Sequence, residues 1–170
     1  AVSSVGPRTI SLVLDVSGSM SGDPLEQTKQ AASSFVDRTM EENTRIGMVA
    51  FSDKATVAAD ADQSFQQLKI SINELKDGGG TNLEDGLAEG ARMANSDNAS
   101  RHIIVLMSDG DPTNGKTGDE LIAYARTLRD ANGDGKEETK IYALGFNESP
   151  YGQHLLANIA SAGCHYEVQE

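Results

Sequence analysis

Apolar residues in this chain recur with two periods that alternate along its length. Thr9–Val16 (TISLVLDV) is a compact run rich in β-branched residues, predicting a strand buried on both faces. From Asp23 the spacing turns helical. Leu25, Thr28, Ala32, Phe35, Val36 and Thr39 share one face, predicting a helix to about Met40. Asp23 is placed to cap that helix, Pro24 suits its first position and Glu26 can reach back to the cap. Arg45–Ser52 and Lys54–Ala59 read as two strands with only Asp53 between them. A link that short closes a hairpin and not a parallel crossover, so this pair is expected to be antiparallel with the later strand at a sheet edge.

The alternation continues to the end. Ser64–Leu75 is amphipathic through Phe65, Leu68, Ile72 and Leu75. After Gly78-Gly79-Gly80, the segment Thr81-Asn82-Leu83-Glu84 has the form of a capping box, followed by Leu83, Leu87, Ala91 and Ala94 on one helical face. Arg101–Met107 (RHIIVLM) and Lys140–Phe146 (KIYALGF) read as strands, Thr117–Asp130 and Tyr151–Ser161 as helices, and Cys164–Val168 as a short last strand. Strands alternating with helices predict an α/β fold: a doubly wound, mostly parallel central sheet with one antiparallel edge strand and helices on both faces. At 170 residues the chain is expected to form a single domain over 1–170, with its core at about 9–168. It starts with Ala and not Met, which suggests part of a larger protein.

Charge narrows the range of partners. With 26 acids against 14 bases the net charge is −12, which argues against nucleic acid, whose phosphates call for clustered Lys and Arg. No apolar window is long enough to insert into a membrane. The single Cys164 cannot form an internal disulfide. Acidity on this scale suits a protein that holds cations or meets basic surfaces.

In open α/β sheets ligands bind beyond the carboxyl ends of the strands. Three segments fall at that edge: Asp15-Val16-Ser17-Gly18-Ser19, Gly79-Gly80-Thr81 and Met107-Ser108-Asp109-Gly110. Together they offer two carboxylates and three hydroxyls, with no imidazole or thiolate. Such all-oxygen sets select hard cations, and Mg2+ is held at ~2.0–2.1 Å in an octahedron that keeps some waters. Gly18 and Gly80 are expected to make the tight turns, being free to adopt positive φ.

DVSGSM, GGTNL and MSDG, in this order and strand–helix context, resemble the von Willebrand factor type A (vWA) domain over about Thr9 to Val168. The resemblance implies a Rossmann-like fold and a metal-ion-dependent adhesion site (MIDAS). Asp15, Ser17 and Ser19 match its D-x-S-x-S, Thr81 its threonine and Asp109 its last aspartate. It further implies Mg2+, Mn2+ or Ca2+ held by Ser17, Ser19 and Thr81, with Asp15 and Asp109 ligating directly or through water. Gly18, Gly80 and Asp111 then form the ligand-binding rim, and an Asp or Glu carboxylate of a partner protein completes the shell.

A second cation loop is expected at Asp130-Ala131-Asn132-Gly133-Asp134-Gly135, which begins like an EF-hand calcium loop. Its twelfth position is Ile141 where a Glu is wanted, so Glu137 or Glu138 must substitute, giving Asp130, Asn132, Asp134 and Glu138 as candidate Ca2+ ligands. His102, His154 and His165 have no ligand spacing and are expected to be structural or on the surface. Asn98-Ala99-Ser100 and Asn147-Glu148-Ser149 match the glycosylation triplet, a pattern short enough to arise by chance.

Enzyme classes fit poorly. No G-x-G-x-x-G follows the first strand, no Lys follows Gly80 as a P-loop requires, and no histidine stands in the three loops to serve Ser17 or Ser19 as base. The expectation is a non-enzymatic, metal-dependent protein-binding or adhesion module at the cell surface or secreted. The alternative is a vWA component of an intracellular metal-chelatase or ATPase-linked complex, which would use the same site.

Overall fold

The central strand of the sheet is the first one in the chain. The computed structural model describes residues 7–39, 43–99, 101–146 and 148–168. In it β1 (Arg8–Asp15) is buried along all but its first residue. There follow a 3-10 turn at Gly18–Met20, α1 (Asp23–Thr39), β2 (Thr44–Phe51), β3 (Ala55–Ala59), α2 (Phe65–Asn73) and α3 (Leu83–Ala94). The second half contains β4 (Arg101–Ser108), α4 (Gly118–Arg129), β5 (Thr139–Phe146), α5 (Pro150–Ile159) and β6 (His165–Val168). Met40, Ser100 and Asn147 lie outside the described residues.

The strands lie in the order β3-β2-β1-β4-β5-β6. All neighbours pair in parallel except β2 and β3, which are antiparallel, with β3 on the edge as the short hairpin link requires. From β1 the chain winds first toward β2 and later toward β4, so strand order reverses at β1/β4. The crevice beyond the carboxyl ends of these two strands is where such sheets bind ligands.

Alternation along the strands builds two apolar layers. Ile10, Leu12 and Leu14 of β1, with Val105 and Met107 of β4, meet Leu25, Ala32 and Val36 of α1 and Leu68 and Ile72 of α2. On the other face Val13, Phe51, Ile104, Leu106, Ile141 and Ala143 meet Leu83 and Leu87 of α3, Leu121 and Ala125 of α4, and Leu155, Leu156 and Ile159 of α5. Each buried aliphatic side chain contributes about 1.5–3 kcal/mol. With no Trp and few other aromatics, the layers depend on close approach. A Cβ at Gly90 of α3 would come within 2.4 Å of the Val13 side chain, and one at Gly86 within 2.7 Å of the Phe51 ring.

Two expected caps are corrected. Asp23 lies inside the first turn of α1, where the Gly22 carbonyl accepts from the Glu26 N–H at 3.2 Å; the acid still favours that positive helix end. At α3 the cap is Asn82, whose Oδ1 accepts from the Asp85 N–H at 3.0 Å, in place of the Thr81–Glu84 box. Glu84 accepts instead from the Lys116 N–H at 3.0 Å. Cys164 is buried in the core.

Candidate metal centre

Asp15 ends β1 at the point where strand order reverses, and it is fully buried. Both its oxygens are occupied. Oδ1 accepts from the Ser17 N–H at 2.9 Å, and Oδ2 accepts from the Ser108 hydroxyl at 2.6 Å. Burial pushes the carboxyl up from 3.8 to about 6; the hydrogen bonds from Ser108 and Ser17 oppose that rise, and the negative charge of Asp109 adds to it. A sequestered acid beside a second acid is what a bound cation would compensate.

The Ser17 and Ser19 hydroxyls stand 3.0 Å apart. They share a hydrogen bond at that distance, which is also about the separation of two adjacent ligands of an octahedral ion with bonds of ~2.1 Å. Ser17 is buried and Ser19 exposed, so the pair runs from the floor of the site to its mouth.

Hydrogen bonds join the three loops. Gly18 N–H donates to the Gly79 carbonyl at 2.9 Å, tying the first loop to the second. Ser108 ties the third loop to the first through Asp15, and its oxygen also accepts from the Gly110 N–H at 3.0 Å. Thr81 connects the second loop to the chain beyond Asp109. Its N–H donates to the Thr113 hydroxyl at 2.8 Å, and its carbonyl accepts from the N–H groups of Thr113 and Asn114 at 2.8 and 3.0 Å. With Asn82 serving as the cap, the Thr81 side chain is not needed to start α3.

The rim is also fastened. Asp109 Oδ1 accepts from the Asp111 N–H at 3.2 Å, and Asp111 Oδ1 accepts from the Ser149 hydroxyl at 3.0 Å. Ser149 caps α5, so the rim is tied to that helix. Gly110 sits at φ 80°, and a Cβ there would lie 2.8 Å from the Gly152 carbonyl oxygen.

The glycine expectation is corrected. Positive φ falls at Gly78, Gly79 and Gly110, not at Gly18 or Gly80. Gly80 is needed for space, since a Cβ there would come within 2.3 Å of Asn114 Oδ1 and 2.7 Å of Asp53 Oδ1.

Two contributors went unassigned at the sequence level. Ser108 stands in the MSDG motif, but its hydroxyl points at Asp15 only once β1 and β4 are paired. Asp53, in the β2–β3 hairpin, accepts from the Gly80 N–H at 3.0 Å, and its carbonyl accepts from Asn82 Nδ2 at 3.2 Å. No local pattern marks either role.

In the α4–β5 connection, carboxylate oxygens of Asp130, Asp134 and Glu138 lie within 4.8 Å of one another. The loop wraps on itself, with Asp134 N–H donating to Asp130 Oδ1 and Asn132 Oδ1, each at 3.2 Å, and Gly135 N–H donating to Asp130 Oδ2 at 2.9 Å. Glu137 is turned away, bound by Arg129 Nε and the Ser161 hydroxyl. Ile141 is buried in β5. Of the histidines, His154 is exposed, His102 contacts the Ala94 carbonyl and His165 pairs with Glu148.

The family model of the von Willebrand factor type A domain matches residues 9–169. Human inter-alpha-trypsin inhibitor heavy chain H3 is 30% identical over 92% of the chain, which spans only 18% of that protein. The vWF domain of the type V pili tip protein Mfa5 of Porphyromonas gingivalis superposes with a TM-score of 0.75 at 16% identity, covering 99% of this chain and 90% of that one. Proximal thread matrix protein 1 of the mussel byssus, in a structure with a zinc-occupied MIDAS motif, gives a TM-score of 0.76 at 24% identity, covering 98% of this chain and 42% of that one. Among the described residues no helix is long and apolar enough to cross a membrane.

Proposed function

The chain belongs to the von Willebrand factor type A domain family, and on that premise we propose that it is a protein-binding or adhesion module that captures a partner's Asp or Glu carboxylate through a divalent cation. The observation that carries this reading is the joining of three loops at the β1/β4 edge around buried Asp15 and the Ser17–Ser19 pair. The likeness to a domain of a pilus-tip protein supports a place at the cell surface or outside the cell. The zinc-occupied site of the mussel relative supports a divalent ion; the all-oxygen donors here favour Mg2+, Mn2+ or Ca2+.

Each residue has a stated part. Ser17, Ser19 and Thr81 supply neutral hydroxyl ligands. Asp109 supplies a carboxylate whose Oδ1 is partly committed to Asp111. Asp15, with both oxygens hydrogen-bonded, acts behind the hydroxyls and fixes Ser17 through its N–H. When bound, the ion supplies an electrophilic point at the surface that a partner carboxylate can complete. Hydroxyl-rich ligation leaves that point electron-poor. No histidine stands in the three loops to act as a general base, and we assign no catalysis to the site.

The loop at Asp130, Asn132, Asp134 and Glu138 is proposed as a separate Ca2+ site, its acids converging without the bidentate Glu of an EF-hand. Calorimetric titration of Mg2+ and Mn2+ into the wild-type domain and into Asp15→Ala, with circular dichroism to verify the fold, tests the main reading. Saturable binding lost in a folded variant is expected. Absence of binding to both proteins would overturn it.

A further inference from the structure

Behind the rim lies a buried carboxylate that the metal reading does not use. The Glu148 side chain, in the β5–α5 connection, is only 2% exposed. Its Oε2 lies 3.0 Å from His165 Nε2, at the start of edge strand β6, and its Oε1 is buried with no hydrogen-bond partner among the described residues. The space it fills exists because residue 145 is glycine: a Cβ there would lie 1.8 Å from Oε1. Ser149, the next residue, caps α5 and donates to Asp111 at the rim. Gly152, in the first turn of α5, lies against the Asp109–Gly110 backbone.

From this chain of contacts we propose that Glu148 and His165 form a proton-dependent latch that positions the rim of the metal site by holding the β5–α5 connection onto strand β6. An unpartnered buried oxygen makes the bare carboxylate costly. The groups facing Glu148 are His165 and Glu167 on β6 and Asp109 on the β4–α4 loop. Of these groups His165 alone can offset its charge; the two acids oppose it. Burial raises the Glu148 carboxyl above its ordinary value despite the His165 contact, so the folded state favours the protonated acid. That contribution is lost as pH rises through the raised value. The latch is therefore firmest in mild acid and weakens as pH rises.

The latch rests on the metal reading for its consequence, not for its existence, so its test uses the metal-free domain. Amide hydrogen exchange of residues 144–152 is measured at about pH 5.5 and about pH 8 and corrected for intrinsic rates. It is compared with α2, which carries no acid, as an internal reference, in wild type, Glu148→Gln and His165→Gln. Wild type is expected to lose protection at the higher pH, as the buried carboxyl ionises. Glu148→Gln, which cannot ionise, is expected to stay flat, whereas His165→Gln, which keeps the buried acid and loses the imidazole that offsets its charge, is expected to lose more than wild type. A flat wild-type profile, the same loss in folded Glu148→Gln, or a loss in His165→Gln no greater than that of wild type, overturns the latch. Should the variants fail to fold, the wild-type profile alone decides. Mg2+ binding by the wild type is read separately, so failure of the metal site and failure of the latch give different results.

Discussion

Asp15 carries a charge whose burial works against the metal-free fold. Its carboxyl is raised from 3.8 to about 6 chiefly by burial, so the folded chain binds a proton more tightly than the unfolded one. The stability this gives is fully present below about pH 4 and is lost as pH rises through about 6, in all about 3 kcal/mol. Asp15→Asn removes the charge and keeps an acceptor for the Ser17 N–H. At pH 7.5 in EDTA the variant is expected to melt above wild type, by about 5–10 °C for a chain of this size, and to gain nothing from Mg2+. Equal melting of the two in EDTA would refute the burial argument. Ser108 is the complementary case. Ser108→Ala leaves Asp15 Oδ2 and the Gly110 N–H without partners in a buried site, a loss of about 1–3 kcal/mol per group. Ser108→Thr retains the hydroxyl, so Mg2+ affinity is expected to drop in Ala and to persist in Thr. Equal affinities would remove Ser108 from the site.

At the scale of elements, the start of α3 separates two roles that lie side by side in the chain. Thr81 and Asn82 both have cap chemistry, and the Thr-x-x-Glu spacing favours Thr81. The fold selects Asn82, because Thr81 is held by Thr113 and Asn114 across the site. Asn82→Ala is accordingly expected to lower stability by about 1 kcal/mol, and Thr81→Ala to weaken Mg2+ binding at nearly constant stability. Denaturant unfolding and metal titration of both variants check this; the reverse assignment would follow from the reverse result. Strand and helix positions were legible because apolar period and turn residues are local signals. Asp15, Ser17 and Ser19 were legible because one strand end carries all three. The roles of Ser108 and Asp53 were not, since each depends on a strand pairing that brings distant residues together. Glu148 was hidden for the same reason, its partner lying on another strand. The acidic loop before β5 was legible in its first half only. Its last candidate, Glu137 or Glu138, is not separable in the chain; Arg129 and Ser161 hold Glu137, which leaves Glu138 beside the other two acids. Asp134→Asn is expected to abolish any Ca2+ heat that survives in Asp15→Ala. A signal unchanged by that substitution would exclude the loop.

For the whole molecule the question is whether the metal belongs to the fold or is added to it. The two apolar layers lie on opposite faces of the sheet, whereas the candidate ligands lie at one end of it. The core therefore does not need the ion, and the metal-free domain is expected to remain folded. Binding then adds stability only by mass action, about 2.7 kcal/mol at a hundredfold excess over Kd, or about 5–10 °C for this chain length. The net charge of −12 complicates the reading, because any salt screens self-repulsion and raises melting somewhat. Mg2+ must therefore be compared with NaCl at matched ionic strength, where only site binding distinguishes them. The expected result is a cooperative melt in EDTA, a small rise in NaCl and a larger one in MgCl2 that Asp109→Ala removes. Collapse of the circular dichroism signal in EDTA would instead mean that the three loops hold the sheet edge together only around the ion. In that case their mutual hydrogen bonds through Gly79, Ser108 and Thr113 are too weak to preform the site.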